Sequence, residues 1–159
     1  MQVIASDPYV SERVAADVGI EIVSLAELLS RVDVLTVHVP LSNETHHLID
    51  ADALAAMKPG AKIINCARGG LVDEKALLSS LESGHTGGAA FDVFEQEPEV
   101  NLDLLAHSHF IGTPHLGGAT LEAQEKIGEG IAQQVADFLC EGTIHHAINV
   151  QALSPEEQS

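Results

Sequence analysis

The feature that most constrains the fold is a regular alternation: short runs of small and branched apolar residues, each closed by a polar or turn-forming cluster, are separated by segments of helical period. Strand-like runs occur at Gln2-Val3-Ile4-Ala5, Glu21-Ile22-Val23, Val32 to Val39, Ala61 to Ile64, Thr86 to Phe94 and Phe110-Ile111-Gly112. Helical patterns run from about Ser11 to Val18, from Leu25 to Arg31 behind a Ser24 cap, up to about Met57, from Lys75 to Glu82, from Leu102 to Ala106 and from Thr120 to Cys140. Strands that alternate with helices predict an α/β fold, a parallel sheet with helices on both faces. In the last helix Ala123, Ile127, Ile131, Val135, Phe138 and Leu139 recur every three or four residues, which predicts one buried stripe.

The centre of this pattern is Asn65-Cys66-Ala67-Arg68-Gly69-Gly70-Leu71-Val72-Asp73-Glu74, which reads as strand, turn, helix. Two glycines allow a sharp turn, and Asp73 is placed to cap the helix that follows. Arg68 is left at the strand's carboxyl end. The same holds elsewhere: Asp7, His38, Asp92 with Glu97, and His115 each lie at or just beyond the carboxyl end of a different expected strand. In a parallel sheet those ends share one edge, and ligands bind there. Taken singly each residue has a plainer use. Asp7-Pro8 is a common turn, Glu95 to Glu99 reads as a solvated charge run, a lone His is more often structural, and an exposed Arg pairs with surface acids. Their convergence on one edge points instead to an active site.

These residue types suffice for one chemistry. A guanidinium holds a carboxylate through two parallel hydrogen bonds, an imidazole exchanges a proton near neutral pH, and a carboxylate orients that imidazole. Arg68, His115 and Glu97 in those roles, beside a nicotinamide site, fit hydride transfer from a 2-hydroxy acid. An acid at the end of a second strand, here Asp7, accepts hydrogen bonds from adenosine ribose hydroxyls and disfavours a 2′-phosphate, so NAD is expected rather than NADP.

Composition excludes other classes. Seven Lys and Arg against 24 Asp and Glu leave a formal charge of −17, which repels phosphate backbones and anionic headgroups, so neither nucleic acid nor a membrane surface is an expected partner. The same excess would suit a salt-adapted surface. No apolar run approaches the roughly 18 residues of a membrane span. Two cysteines, Cys66 and Cys140, make no disulfide framework or zinc motif, and a reducing cytoplasm is expected. His46-His47 and His145-His146 lack a third ligand at a fitting spacing, so no metal is expected.

The runs Asn65-Cys66-Ala67-Arg68-Gly69-Gly70, Phe91-Asp92-Val93-Phe94-Glu95-Gln96-Glu97-Pro98 and Thr113-Pro114-His115-Leu116-Gly117-Gly118 resemble the signatures of the D-isomer-specific 2-hydroxyacid dehydrogenases. The resemblance covers nearly the whole chain. It implies a Rossmann-like domain, NAD as cofactor, a small 2-hydroxy acid as substrate and a homodimer formed through this domain. By the same resemblance Arg68, Glu97 and His115 match the family's catalytic residues. Asp7, His38, Val39, Pro40, Cys66, Ala67, Arg68, Asp92, His115, Gly117 and Gly118 fall where the family contacts NAD.

One part of the family pattern has no counterpart. The family's dinucleotide domain opens with a strand, a G-x-G-x-x-G turn and a helix, and no such segment occurs here; Met1 falls where the family commonly has an internal Met before its second strand. The expectation is an amino-terminally truncated member, with residues 1–150 a partial NAD-binding domain and 151–159 a linker or tail. Ile148-Asn149-Val150 and Leu153 to Glu157 resemble the stretch that leads into the regulatory domains of longer members. In the usual strand order the missing strand is central, so the first two strands should lose their link to the rest and leave open edges. The isolated chain is then expected to fold poorly, to pair its edges with another copy or to rearrange. The alternative to a dehydrogenase polypeptide is a non-catalytic fragment serving as a dimerisation or nucleotide-binding module.

Overall fold

A computed structural model describes residues 1–147. They fall into two compact units, Met1–His115 and a second that begins at Leu116. The expectations for residues 148–150, and for the tail over 151–159, lie outside the described residues.

The first unit alternates strand and helix throughout: β1 (Ile4–Ala5), α1 (Glu12–Asp17), β2 (Glu21–Ile22), α2 (Leu25–Arg31), β3 (Val34–Val37), α3 (Ala51–Ala56), β4 (Lys62–Asn65), α4 (Glu74–Glu82), β5 (Gly88–Phe91), α5 (Leu102–Ala106) and β6 (Phe110–Gly112). Each helix starts where a short polar side chain accepts a backbone N–H of the first turn: Ser11, Ser24, Asp50, Asp73 and Asn101. Lys58 to Gly60 turns into β4 as expected, and Gly87 lets β5 begin against the backbone of Gly60, where a Cβ would stand 2.3 Å from the Gly60 carbonyl oxygen.

All strand pairs are parallel, in two separate sheets. β3, β4, β5 and β6 form a four-stranded sheet in that order, whereas β1 and β2 pair only with each other. The first two strands thus form a sheet of their own, although Ile4 of β1 and Val23 just after β2 pack against the main core. In the larger sheet Leu35, Ile63, Ala89 and Phe110 share one row, and Val37, Asn65, Phe91 and Gly112 share the row at the carboxyl end. Leu28, Leu29, Leu54, Leu77, Leu81 and Leu104 from α2 to α5 close one core with Leu35, Val37, Ile63, Phe91 and Phe110. The helices of this row pack α2 on α3, α3 on α4 and α4 on α5.

Burial along the strands alternates. The run Val32 to Val39, expected as a wholly buried strand, is a four-residue strand in which only Leu35 and Val37 are buried, with Val34 and Thr36 on its other face exposed. On that face Val34, Ile64 and Ile111 are exposed. The loop before α3, read from sequence as polar, also contributes to the core: Ile49 is 1% exposed and bridges to Val72.

The second unit contains α6 (Leu121–Glu141), capped by Thr120. Its apolar stripe was expected to be buried; none of its residues is, and Ile127, Ile131, Val135, Phe138 and Leu139 are all more than half exposed. Among the described residues of that unit, no second helix or strand is present on which the stripe could close.

One-sided burial makes a direct prediction on neighbouring residues of β6. Phe110→Ala should cost about 3–5 kcal/mol of stability, and Ile111→Thr should stay within about 0.5 kcal/mol. Urea unfolding midpoints of the two variants read the difference, and equal losses would contradict the open face.

Candidate active site

The carboxyl-terminal row of the sheet sets the site. One residue beyond it come His38, Cys66, Asp92 and Thr113, and between β4, β5 and β6 the ladder extends this far: the Asp92 N–H donates to the Asn65 carbonyl and the Thr113 N–H to that of Phe91, both at 2.9 Å. Asp92 is buried and accepts a hydrogen bond from the Thr113 hydroxyl. His38 is exposed and pairs through Nε2 with the Thr36 hydroxyl at 2.9 Å. Pro40 follows, its carbonyl accepting the Thr45 hydroxyl at 2.6 Å, which folds the loop back on itself.

The turn that bears Arg68 is built by a buried amide. Asn65, 1% exposed, donates from Nδ2 to the Arg68 carbonyl at 2.9 Å and accepts the Ala67 N–H on Oδ1 at 3.1 Å. The sequence assigns Asn65 no role beyond its place at the head of the Asn65 to Gly70 run; its position directly before the turn is the available signal. The Arg68 side chain is exposed, with Nη1 on the Ala67 carbonyl at 2.6 Å, and among the described residues no carboxylate stands within ion-pair distance of it. The plainer reading of Arg68, a surface ion pair, is therefore not what the structure contains among those residues. The two glycines do different work. Gly70 turns the chain at φ +80°, whereas Gly69 makes room: a Cβ there would lie 1.8 Å from the Phe94 carbonyl oxygen.

That contact brings the loop after β5 against the Arg68 turn. Glu97 ends the loop, its Oε1 accepting the Phe94 N–H at 2.9 Å and its Oε2 paired with His115 Nδ1 at 2.8 Å. The hydrogen bond from His115, followed by that from the Phe94 backbone, holds the Glu97 carboxyl below the usual carboxylate range. An ionised carboxylate only accepts, so Nδ1 carries the proton and Nε2 is left as the basic nitrogen. His115 adopts a left-handed backbone with φ +54°, uncommon outside glycine. Arg68, Glu97 and His115 line one cleft of about 300 Å³ together with Leu41, Val93 and Phe94. A second, mostly apolar cavity of about 540 Å³ adjoins the same Glu97 and His115.

The remaining sequence candidates are distributed along the chain. Asp7 follows β1 and accepts the Tyr9 N–H on Oδ1 at 2.8 Å, so one oxygen serves the Asp-Pro turn. Val39 and Ala67 are half-buried, and Cys66 is exposed beside them at the strand ends. Gly117 and Gly118 belong to the second unit. His46 and His47 stack with ring centroids 3.9 Å apart, and His47 meets Glu95 at 3.0 Å, while His145 meets Asp137 at 3.1 Å. Among the described residues no group of three or more His, Cys, Asp or Glu is placed to hold a metal ion.

The polar groups fit one end of a dinucleotide. The cleft lined by Arg68, Glu97 and His115, with the buried Asp92 carboxylate one residue before its Val93 wall, suits a flat amide-bearing ring. The glycine-rich turn that would cradle a pyrophosphate is not among these 159 residues.

Because the folded protein depresses the Glu97 carboxyl, its pairing contributes stability above the ordinary carboxylate range and loses it as pH falls through the lowered value. The stability difference between the protein and Glu97→Gln should therefore be present near neutrality and shrink on acidification. Urea midpoints of both between about pH 3 and 7 measure it, and a difference that stays constant over that range would contradict the pairing.

Residues 1–117 match the family model described as D-isomer specific 2-hydroxyacid dehydrogenase, NAD binding domain. The chain is 44% identical over 156 residues to the D-3-phosphoglycerate dehydrogenase of Synechocystis, covering 98% of this chain and 28% of the relative. To the enzyme of that name from Bacillus subtilis it is 42% identical over 157 residues, covering 99% of this chain and 30% of the relative. The chain thus spans less than a third of the length of these curated relatives. Among solved structures, the holo form of D-mandelate dehydrogenase from Rhodotorula graminis superposes with a TM-score of 0.86 at 35% identity, over 97% of this chain and 46% of that one. The D-lactate dehydrogenase of Aquifex aeolicus complexed with NAD and lactic acid gives 0.75 at 33% identity, over 87% of this chain and 46% of that one. The chain belongs to the D-isomer specific 2-hydroxyacid dehydrogenase family, which it enters through the family's NAD binding domain.

Proposed function

We propose that this chain is the NAD-binding and proton-transfer part of a D-2-hydroxyacid dehydrogenase that interconverts 3-phosphoglycerate and its 2-oxo acid, the entry to serine biosynthesis. The observation that carries the reading is the Glu97–His115 pair at 2.8 Å on the wall of a cleft shared with Arg68, whose guanidinium meets no carboxylate among the described residues. The substrate assignment rests on the relatives, named D-3-phosphoglycerate dehydrogenase at 42–47% identity.

In this mechanism Arg68 grips the substrate carboxylate with two parallel N–H donors and so fixes the orientation of the hydroxyl-bearing carbon. His115 Nε2 accepts the hydroxyl proton as the carbon–oxygen double bond forms. Glu97 stabilises the resulting imidazolium and keeps Nδ1 protonated. NAD, when bound, supplies the acceptor for the hydride that leaves the same carbon. His38, Val39, Pro40, Cys66, Ala67, Asp92, Gly117 and Gly118, with Arg68 and His115, would contact it, and Asp7 would accept its adenosine ribose hydroxyls. The partial NAD-binding domain is taken as 1–150, with 151–159 a linker or tail. A homodimer formed through this domain belongs to the same reading, with the exposed Val34, Ile64 and Ile111 as apolar surface to cover. So does a cytoplasmic location, since the exposed thiols of Cys66 and Cys140 persist in a reducing compartment.

A second reading, a nucleotide-binding or dimerisation module without turnover, is favoured by the separation of the β1–β2 pair from the larger sheet. Thermal unfolding of the chain with and without millimolar NADH addresses binding. A cooperative melt that NADH raises supports a dinucleotide site; indifference to NADH removes it.

Turnover is tested by exchanging this chain for the matching segment of the Bacillus subtilis relative. The chimera should oxidise NADH with the 2-oxo acid of 3-phosphoglycerate. His115→Ala should then lower kcat by about 10²- to 10⁴-fold, the usual worth of positioned acid–base catalysis. Arg68→Lys should impair kcat/KM despite its retained charge, because an ammonium cannot reproduce the planar fork. A chimera that stays active with His115→Ala would overturn the assignment of the base.

A further inference from the structure

The loop that carries Glu97 is held in an unusual way. Among the described residues, no backbone N–H from Val93 to Glu99 donates to a backbone carbonyl. Two carboxylates hold the loop instead. The Phe94 N–H goes to Glu97 Oε1 at 2.9 Å, and the next N–H, that of Glu95, goes to Glu74 Oε1 at 2.7 Å. The second bond is reciprocated: the Glu74 N–H donates to Glu95 Oε1 at 3.1 Å. The same Glu95 oxygen meets His47 Nε2 at 3.0 Å, and the His47 N–H donates to the Gly70 carbonyl at 2.7 Å.

Glu74 is not required for the start of α4. Asp73 already caps that helix, taking the N–H groups of Lys75 and Ala76. Yet the Glu74 side chain lies buried, 6% exposed, and desolvation pushes its carboxyl upward, with the Glu95 and Asp73 charges adding to the same direction. A buried carboxylate is costly unless its hydrogen bonds compensate, and here the compensating donor is the loop's own backbone.

We propose that Glu74 and Glu95 are positioning residues for the Glu97–His115 pair: their reciprocal clasp fixes the Phe94–Glu95 backbone, and through the Phe94 N–H it fixes the carboxylate that orients the imidazole. Gly69 completes the arrangement by letting the Arg68 turn press on the same Phe94 carbonyl, so one clasp sets Arg68 and Glu97 relative to each other. The inference rests on the reading of Glu97 and His115 as the reacting pair.

The test uses the whole chain with Glu74→Ala and Glu74→Gln, and follows the Glu97 carboxyl through its titration by carbon NMR. In the unaltered protein, and in Glu74→Gln, which keeps an acceptor oxygen, Glu97 should titrate below the usual carboxylate range. In Glu74→Ala it should return towards that range. A Glu97 that stays equally low in folded Glu74→Ala overturns the proposal. Should that variant fail to fold, amide exchange in the unaltered chain decides: the Phe94 and Glu95 N–H groups should open together, and rates differing by more than about tenfold overturn the clasp. Both readouts report geometry and are blind to turnover, so a chimera that fails to oxidise NADH would sink the proposed function and the positioning role that rests on it, whereas a Glu97 that stays low in Glu74→Ala would sink the clasp alone.

Discussion

The parallel register of β3 to β6 is the constraint on which the site depends. Because all four strands run the same way, their carboxyl ends lie on one edge, and the ladder places Val37, Asn65, Phe91 and Gly112 in a single row. The side-chain period of two then decides everything one residue further on. His38, Cys66, Asp92 and Thr113 follow that row directly, although they lie far apart in sequence, and continued ladder bonds hold Asp92 and Thr113 in place. A slip of one residue in any strand would turn its member of the row towards the leucines of α2 to α5, so the burial of Leu35, Ile63 and Phe110 also fixes the polar edge.

Between that edge and the reacting groups lie loops, and the structure steadies them with buried polar side chains where a core would use apolar ones. Asn65, Glu74 and Asp92 are each less than a tenth exposed. Each accepts or donates to a backbone or side-chain group of the turn beside it, and among the described residues no buried side-chain nitrogen or oxygen is left without a partner. A hydrogen bond made in such surroundings is worth more than one in water, and its loss leaves a desolvated group behind. The positions of Arg68 and Glu97 are therefore set by interactions that fail steeply rather than gradually. The absence of a side chain at Gly69 is part of the same device, since any Cβ would separate the two loops it brings together.

Much of this was legible in the residues. Helix caps at Ser24 and Asp73, the bounds of α5 and β6, and the convergence of His38, Arg68, Asp92 and His115 on the ends of one sheet all follow from local chemistry and period, whereas Asp7, expected on the same edge, follows a strand of the other sheet. What could not be read is equally specific. Periodicity reports that Ile127, Ile131 and Val135 share a face, but not whether anything covers it, and among the described residues of the second unit nothing does. Val32 to Val39 looked buried throughout because composition cannot distinguish a strand covered on two faces from one covered on one. The clasp between Glu74 and Glu95 joins residues 21 apart that read in sequence as a helix start and a charge run; only the fold makes them partners.

The separation of the two sheets gives the site a thermodynamic property of its own. Asp7 follows β1 in the two-stranded sheet, whereas Arg68, Asp92 and His115 belong to loops of the four-stranded one. Two short paired strands are marginal by themselves, and here α1 and its buried Ala15 supply their packing. A ligand that touched both sheets would bind the folded unit and not the unfolded chain, so by linkage its binding free energy would add to the stability of that unit. Substitutions that loosen the β1–β2 pair should weaken a ligand reaching Asp7 while leaving the geometry between Glu97 and His115 intact.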